Sequence, residues 1–189
     1  SSAIKKNNKE LKLAKLKKLP IFQRGEMLAN VVALKKNIVV TGSHGKTTTT
    51  SLIANILVEA GLDPTVINGG VINSIKNTAQ LGKGEWAVIE ADESDGSFLK
   101  LPITYSVVTN VDKEHLDYYK SFEALKKSFC TFIEKTPSFG KSLVCIDDKN
   151  FKSILNKCKT NNFLTYGFHK NANYKIANVR KKINLSIFD

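Results

Sequence analysis

The sequence predicts an α/β fold, a mostly parallel sheet with helices on both faces, built around a phosphate loop. Three observations predict it. Asn37-Ile38-Val39-Val40-Thr41 is a short run rich in β-branched residues, of the type found in strands buried on both faces. A glycine-rich turn follows directly, and a helical pattern opens at Thr47 with Leu52, Ile53, Ile56, Leu57 and Ala60 on one side, closing at Gly61. Beyond it, short apolar strand candidates alternate with helical stretches, the pattern of crossover connections between parallel strands.

In chain order, Asn7 to Lys18 has helix-forming content and ends at Leu19-Pro20, and a second helical stretch runs from Glu26 to Lys35. After the central strand and helix come strand candidates Pro64 to Asn68, Trp86 to Ala91, Tyr105 to Asn110, Ser142 to Asp147 and Phe163 to Phe168. Helices are expected at Phe122 to Lys135 and Lys149 to Lys157. Gly69 to Gly84 shows no periodicity and is expected to be a long loop, of the kind that often carries function. The tail, Tyr174 to Phe188, alternates like a hairpin and points to an antiparallel extension.

The bulk numbers fit one globular core: 189 residues, 42% hydrophobic and 24% charged. No apolar run approaches the roughly 20 residues needed to cross a bilayer, and no signal-peptide pattern opens the chain, so a cytoplasmic location is expected. Cys130, Cys145 and Cys158 lack the spacing of a zinc or redox motif and read as reduced thiols. The net charge of +12 raises the question of a nucleic-acid partner. Only Arg24 and Arg180 are arginines, so the forked donor suited to bases and phosphates is nearly absent, and the lysines are spread along the whole chain. No nucleic-acid partner is therefore expected.

The turn Gly42-Ser43-His44-Gly45-Lys46-Thr47 stands between a buried strand and a helix. Such a turn gathers backbone N–H groups at the positive end of the helix dipole, where a phosphate fits. Lys46 can reach terminal phosphates, and the Thr47 hydroxyl can ligate the magnesium ion that accompanies ATP. The full motif places its first glycine five positions before the second, and Val40 stands there, so this is a shortened form. The bland alternative is an ordinary turn with a solvated lysine. A second constellation, Glu90-Ala91-Asp92-Glu93-Ser94-Asp95, lies where the strand from Trp86 runs out, on the side of a parallel sheet where ligand sites form. Its four carboxylates call for a cation, and Glu90, the first acid past the strand, is assigned to Mg2+; alternatively, the acids cap the following turn. The third, Asn110-Val111-Asp112-Lys113-Glu114-His115-Leu116-Asp117, also follows an apolar strand and offers His115.

Thr41 to Thr50, Glu90 to Leu99, and Thr109 to Asp112 with His115 to Tyr119 together resemble the central-domain signatures of the Mur ligases, and the resemblance spans nearly the whole chain. The second and third motifs are worded like those of the alanine-adding branch. The resemblance implies that the backbone from Gly42, Ser43, His44 and Gly45 through Lys46, Thr47 and Thr48 binds ATP phosphates. It implies that Thr47, Glu90 and His115 serve Mg2+, that Lys46, Glu90 and His115 are catalytic, and that His44, Ser94 and Asp95 lie near the muramyl substrate. UDP-N-acetylmuramate and L-alanine are the implied substrates. Residues 1–36 resemble the last strand-helix piece of a Rossmann-like UDP-sugar domain, and residues 37–189 an ATP-binding domain incomplete at its end. Some members carry a carbamylated lysine about fifteen residues after the matching histidine; Cys130 stands there. A nucleotide fingerprint before Ser1, a later His-Asn adenine motif and a C-terminal domain are absent, so the chain is expected to be an incomplete piece that turns over nothing alone.

Related readings remain within this pattern. A muropeptide-recycling ligase should differ in Glu93 to Gly96, and a folate polyglutamate ligase at His44. Another phosphate-loop kinase or ATPase accounts for Lys46 and Thr47 but leaves the acid cluster and His115 unexplained. A basic nucleic-acid-binding module accounts only for the lysines.

Overall fold

The computed structural model describes residues 4–72, 76–182, 185–187 and 189. Two helices open it, α1 (Lys9–Leu16) and α2 (Arg24–Val32). The Asn8 side chain caps α1 by accepting from Leu11 N at 3.0 Å, and Glu26 reaches back to Gln23 N at 2.9 Å at the start of α2. The strand-helix piece expected over 1–36 is instead a pair of helices among the described residues; Ser1 to Ala3 lie outside them. Val32 is fully buried in the same apolar cluster as Val39 and Ile89, so α2 packs into the core of the sheet.

From there the chain runs β1 (Lys36–Thr41), α3 (Lys46–Glu59), β2 (Thr65–Ile72), β3 (Asn77–Gln80) and β4 (Trp86–Glu90). A 3-10 turn (Ser97–Lys100) leads to β5 (Tyr105–Val108), the short α4 (Leu116–Tyr119), α5 (Phe122–Glu134) and β6 (Ser142–Cys145). Then come α6 (Phe151–Leu155), β7 (Phe163–Gly167), β8 (Tyr174–Lys175), β9 (Arg180–Lys182) and β10 (Leu185–Ile187).

Eight strands form one sheet in the order β3-β2-β4-β1-β5-β6-β7-β8. Every pairing is parallel except that of β2 with the edge strand β3. Residues alternate across β4: Ala87 and Ile89 join a large cluster with Phe98, Phe129 and Phe132, while Val88 joins a second with Ala54 of α3 and Val66. Helices thus cover both faces, as the strand-helix alternation implies. Two expectations are corrected. The loop foreseen from Gly69 to Gly84 is largely a β2-β3 hairpin, because β2 continues through Ile72 and pairs antiparallel with β3; residues 73–75 of that stretch lie outside the described residues. The tail is only partly a hairpin: β9 and β10 pair antiparallel as a separate sheet, but β8 extends the main sheet in parallel. Residues 183, 184 and 188 of the tail are outside the described residues. Among the described residues no helix is long and apolar enough to cross a membrane.

The strand order positions the site. β1 lies between β4 and β5, so the connections leaving these three adjacent strands open a crevice at their carboxyl ends, the place where ligands bind in sheets of this kind.

Candidate active site

The turn after β1 is shaped by close approach. Gly42 has φ +135°, and a Cβ there would sit 2.1 Å from Thr109 Oγ1, so no other residue fits without moving the β5 end. Gly45, at φ +80°, caps α3. Lys46 folds back over the turn, donating to Gly42 O at 2.6 Å and Ser43 O at 3.3 Å, and reaches Glu93 Oε1 at 3.1 Å. The amides of Lys46, Thr47 and Thr48 lie in the first turn of α3, where backbone N–H groups have no intrahelical acceptor. Earlier in the stretch, Ser43 N donates to Asn110 O at 3.0 Å and His44 N to Asn110 Oδ1 at 2.8 Å.

Glu93 is the hub between strand ends. It is 1% exposed, pairs with Lys46, and lies 3.4 Å from His115 Nε2. Its Oε2 stands 3.1 Å from Lys46 Nζ yet receives no hydrogen bond, a buried oxygen with capacity to spare. Tyr119 donates through its hydroxyl to Glu93 O, and burial pushes that phenol up to about 12, so it remains a neutral donor at ordinary pH. His115 adopts a left-handed conformation, φ 54° and ψ 32°, uncommon for a residue with a side chain, and this turns the chain into α4. Glu93, Glu114 and His115 bring three ligand atoms within 4.8 Å of one another.

Glu90 stands on the other side of the crevice. As the last residue of β4 it falls on the same face as Val88, towards α3. Its Oε2 accepts from Gly69 N at 2.7 Å, and a Cβ on Gly69 would meet its carboxylate at 2.7 Å. A Cβ on the next residue, Gly70, would meet Thr47 Cγ2 at 3.0 Å. Thr47 and Glu90 therefore face the same glycine pair of β2, while His115 gathers with Glu93. The three residues expected around one cation fall into two groups, joined by the neighbouring Lys46 and Thr47 at the start of α3.

His44 is exposed, its Nε2 3.1 Å from Asp112 Oδ2 and 3.7 Å from Glu114 Oε1. Ser94 donates its N–H to Asp92 Oδ1 at 2.9 Å, and Asp95 Oδ1 accepts from Ser97 N at 3.0 Å. Asp95 also lines a groove of about 990 Å³ with Arg24, Lys100 and Tyr118, between the N-terminal helices and the sheet domain. Cys130 is buried in α5, with its thiol against Glu134 at 3.4 Å, and burial raises its pKa. Reading the sequence assigns no role to Glu93, Asn110, Asp112 or Tyr119. Their only signal is membership of the segments after β4 and β5; which acid turns inward depends on the path of the loop.

Residues 40–188 match the model of the Mur ligase middle domain. The chain belongs to the Mur ligase family. Over all 189 residues it is 61% identical to the UDP-N-acetylmuramate–L-alanine ligase of Pelagibacter ubique, and it spans 41% of that relative's length. Among solved Mur ligases, the UDP-N-acetylmuramate-alanine ligase MurC of Thermotoga maritima superposes with a TM-score of 0.79 at 26% identity, over 94% of this chain and 39% of that one. The UDP-N-acetylmuramate:L-alanyl-gamma-D-glutamyl-meso-diaminopimelate ligase of Neisseria meningitides gives 0.82 at 24% identity, over 94% and 60%, a likeness of fold.

Proposed function

We propose that this chain is the nucleotide-gripping part of an ATP-dependent ligase that joins L-alanine to UDP-N-acetylmuramate, a cytoplasmic step in building peptidoglycan precursors. The observation that carries the reading is the buried carboxylate of Glu93, which reaches both Lys46 of the phosphate loop and His115 beyond β5. A loop that only bound nucleotide has no need of this link between strand ends. The relative from Pelagibacter ubique, at 61% identity over the whole chain, supports the choice of substrates.

In this reading the lactyl carboxylate attacks the γ-phosphorus of ATP, ADP leaves, and an acyl phosphate forms. The amine of alanine then attacks the acyl carbon, phosphate departs, and the amine loses its proton. The chain's own residues position groups and offset charge, because phosphoryl transfer spreads negative charge over oxygens and needs no protein nucleophile. Lys46, on a flexible stem, exchanges its carbonyl and Glu93 partners for phosphate oxygens. The first-turn amides of α3 hold the phosphates. On one side of the crevice Thr47 and Glu90 offer oxygen ligands suited to a hard cation, and on the other Glu93, paired with Lys46, gathers with His115. Bound Mg2+ would neutralise charge between the nucleotide and the acidic substrate.

Replacing the matching 189 residues of the Pelagibacter ubique ligase with this chain tests the reading. The chimera is expected to release phosphate only when UDP-N-acetylmuramate and L-alanine are both present. A folded chimera that binds Mg-ATP but ignores UDP-N-acetylmuramate would refute it. Within this chain, Glu90→Gln keeps an acceptor for Gly69 N, so the circular dichroism spectrum should not change. The Mg2+ concentration for half-maximal nucleotide binding should rise about tenfold. An unchanged magnesium response would leave Glu90 as a capping residue.

A further inference from the structure

The loop after β1 is held from the end of a neighbouring strand. Asn110, two residues past β5, engages both sides of the loop at His44: Oδ1 accepts from His44 N at 2.8 Å and Nδ2 donates to His44 O at 3.0 Å. This is the pairing one strand makes with another, made here by a side chain. Ser43 N donates to Asn110 O at 3.0 Å, Thr109 Oγ1 donates to His44 O at 2.6 Å, and Asp112 N donates to Ser43 Oγ at 2.8 Å. The gripping segment is held in turn from β6. Asp148 Oδ2 accepts from Val111 N at 2.9 Å, and Asn150 Nδ2 donates to Val111 O at 2.7 Å. Two side-chain grips therefore run in series from the end of β6, across the end of β5, to the loop after β1.

We propose that Asn110 is a positioning residue for the nucleotide, resting on the ATP-dependent reading above. By occupying the amide and carbonyl of His44 it fixes the tip of the loop before ATP arrives, and it leaves the first-turn amides of α3 as the phosphate donors. All these bonds form within the protein, so the loop is ordered without ligand and nucleotide binding does not bear the cost of ordering it.

Hydrogen exchange and titration calorimetry on the 189-residue chain test this. Asn110→Ala removes both side-chain bonds to His44. Amide exchange at residues 42–46 should rise about tenfold without nucleotide, with later turns of α3 unchanged, and Mg-ATP affinity should fall about tenfold, the scale of the two lost side-chain bonds at about 0.7 kcal/mol each. Asn110→Asp keeps an acceptor for His44 N but loses the donor to His44 O, so its loop exchange should fall between that of the parent and that of the alanine variant. Unchanged exchange in the loop, or a loosened loop with unchanged affinity, would overturn the proposal. Faster exchange spread over the whole sheet in both variants would overturn it too, since Asn110 would then hold the fold rather than the loop. Should the 189-residue chain alone not bind Mg-ATP, the affinity is read in the Pelagibacter ubique chimera, where failure to bind would sink the ATP-dependent reading while the exchange series still decides whether the grip exists.

Discussion

Lys46→Ala should weaken Mg-ATP binding at least tenfold, a loss of about 1.4 kcal/mol or more, as read by titration calorimetry against the parent. The reason is positional. Lys46 is the first residue of α3, and its ammonium group is gathered over the turn by Gly42 O, Ser43 O and the buried Glu93. Removing it takes away the nearest positive charge for the phosphates and leaves Glu93, only 1% exposed, without its lysine partner. The variant should therefore lose binding through a missing attraction and through an uncompensated acid at the same place. Retained affinity would remove the loop from the mechanism, whatever the family of the chain.

Phe132→Ala should lower the free energy of unfolding by about 3–5 kcal/mol, measured by urea denaturation. The ring is fully buried, stacked on Phe98 at 5.2 Å with 29° between planes, and Phe98 in turn meets Phe129 at 5.6 Å. Truncation removes apolar contact and leaves a cavity between α5 and the 3-10 turn that the backbone cannot close. Phe98 also anchors the segment that follows β4, so Glu93 should lose some of its fixed position before the protein unfolds. A loss below about 1 kcal/mol would mean that the aromatic cluster is not tightly packed.

The central strand, the phosphate loop and the helix after it are legible in the sequence because each is set by local chemistry: β-branched residues at β1, glycines where φ must be positive, and an apolar face on α3. The parallel order of the later strands is legible for a related reason, since strands separated by helices must cross over. The β2-β3 hairpin is not legible. Gly69 and Gly70 break the apolar pattern, and they do so because Glu90 and Thr47 press against the backbone there, a contact between segments distant in sequence. The tail is misread in part because β8 has only two residues, too few to show a period.

The candidate site divides along the same line. The sequence by itself determined the family, the loop with Lys46 and Thr47, and the three segments that supply polar groups, because motif spacing and strand ends are properties of the chain. Only the tertiary structure decided which members of those segments meet. Glu93 rather than Glu90 turns inward to Lys46 and His115, and Asn110 closes on His44. Those choices result from placing β1 between β4 and β5, which brings the loops after these strands together, and from the path of each loop; alternation across β4 sets the direction of Glu90 alone.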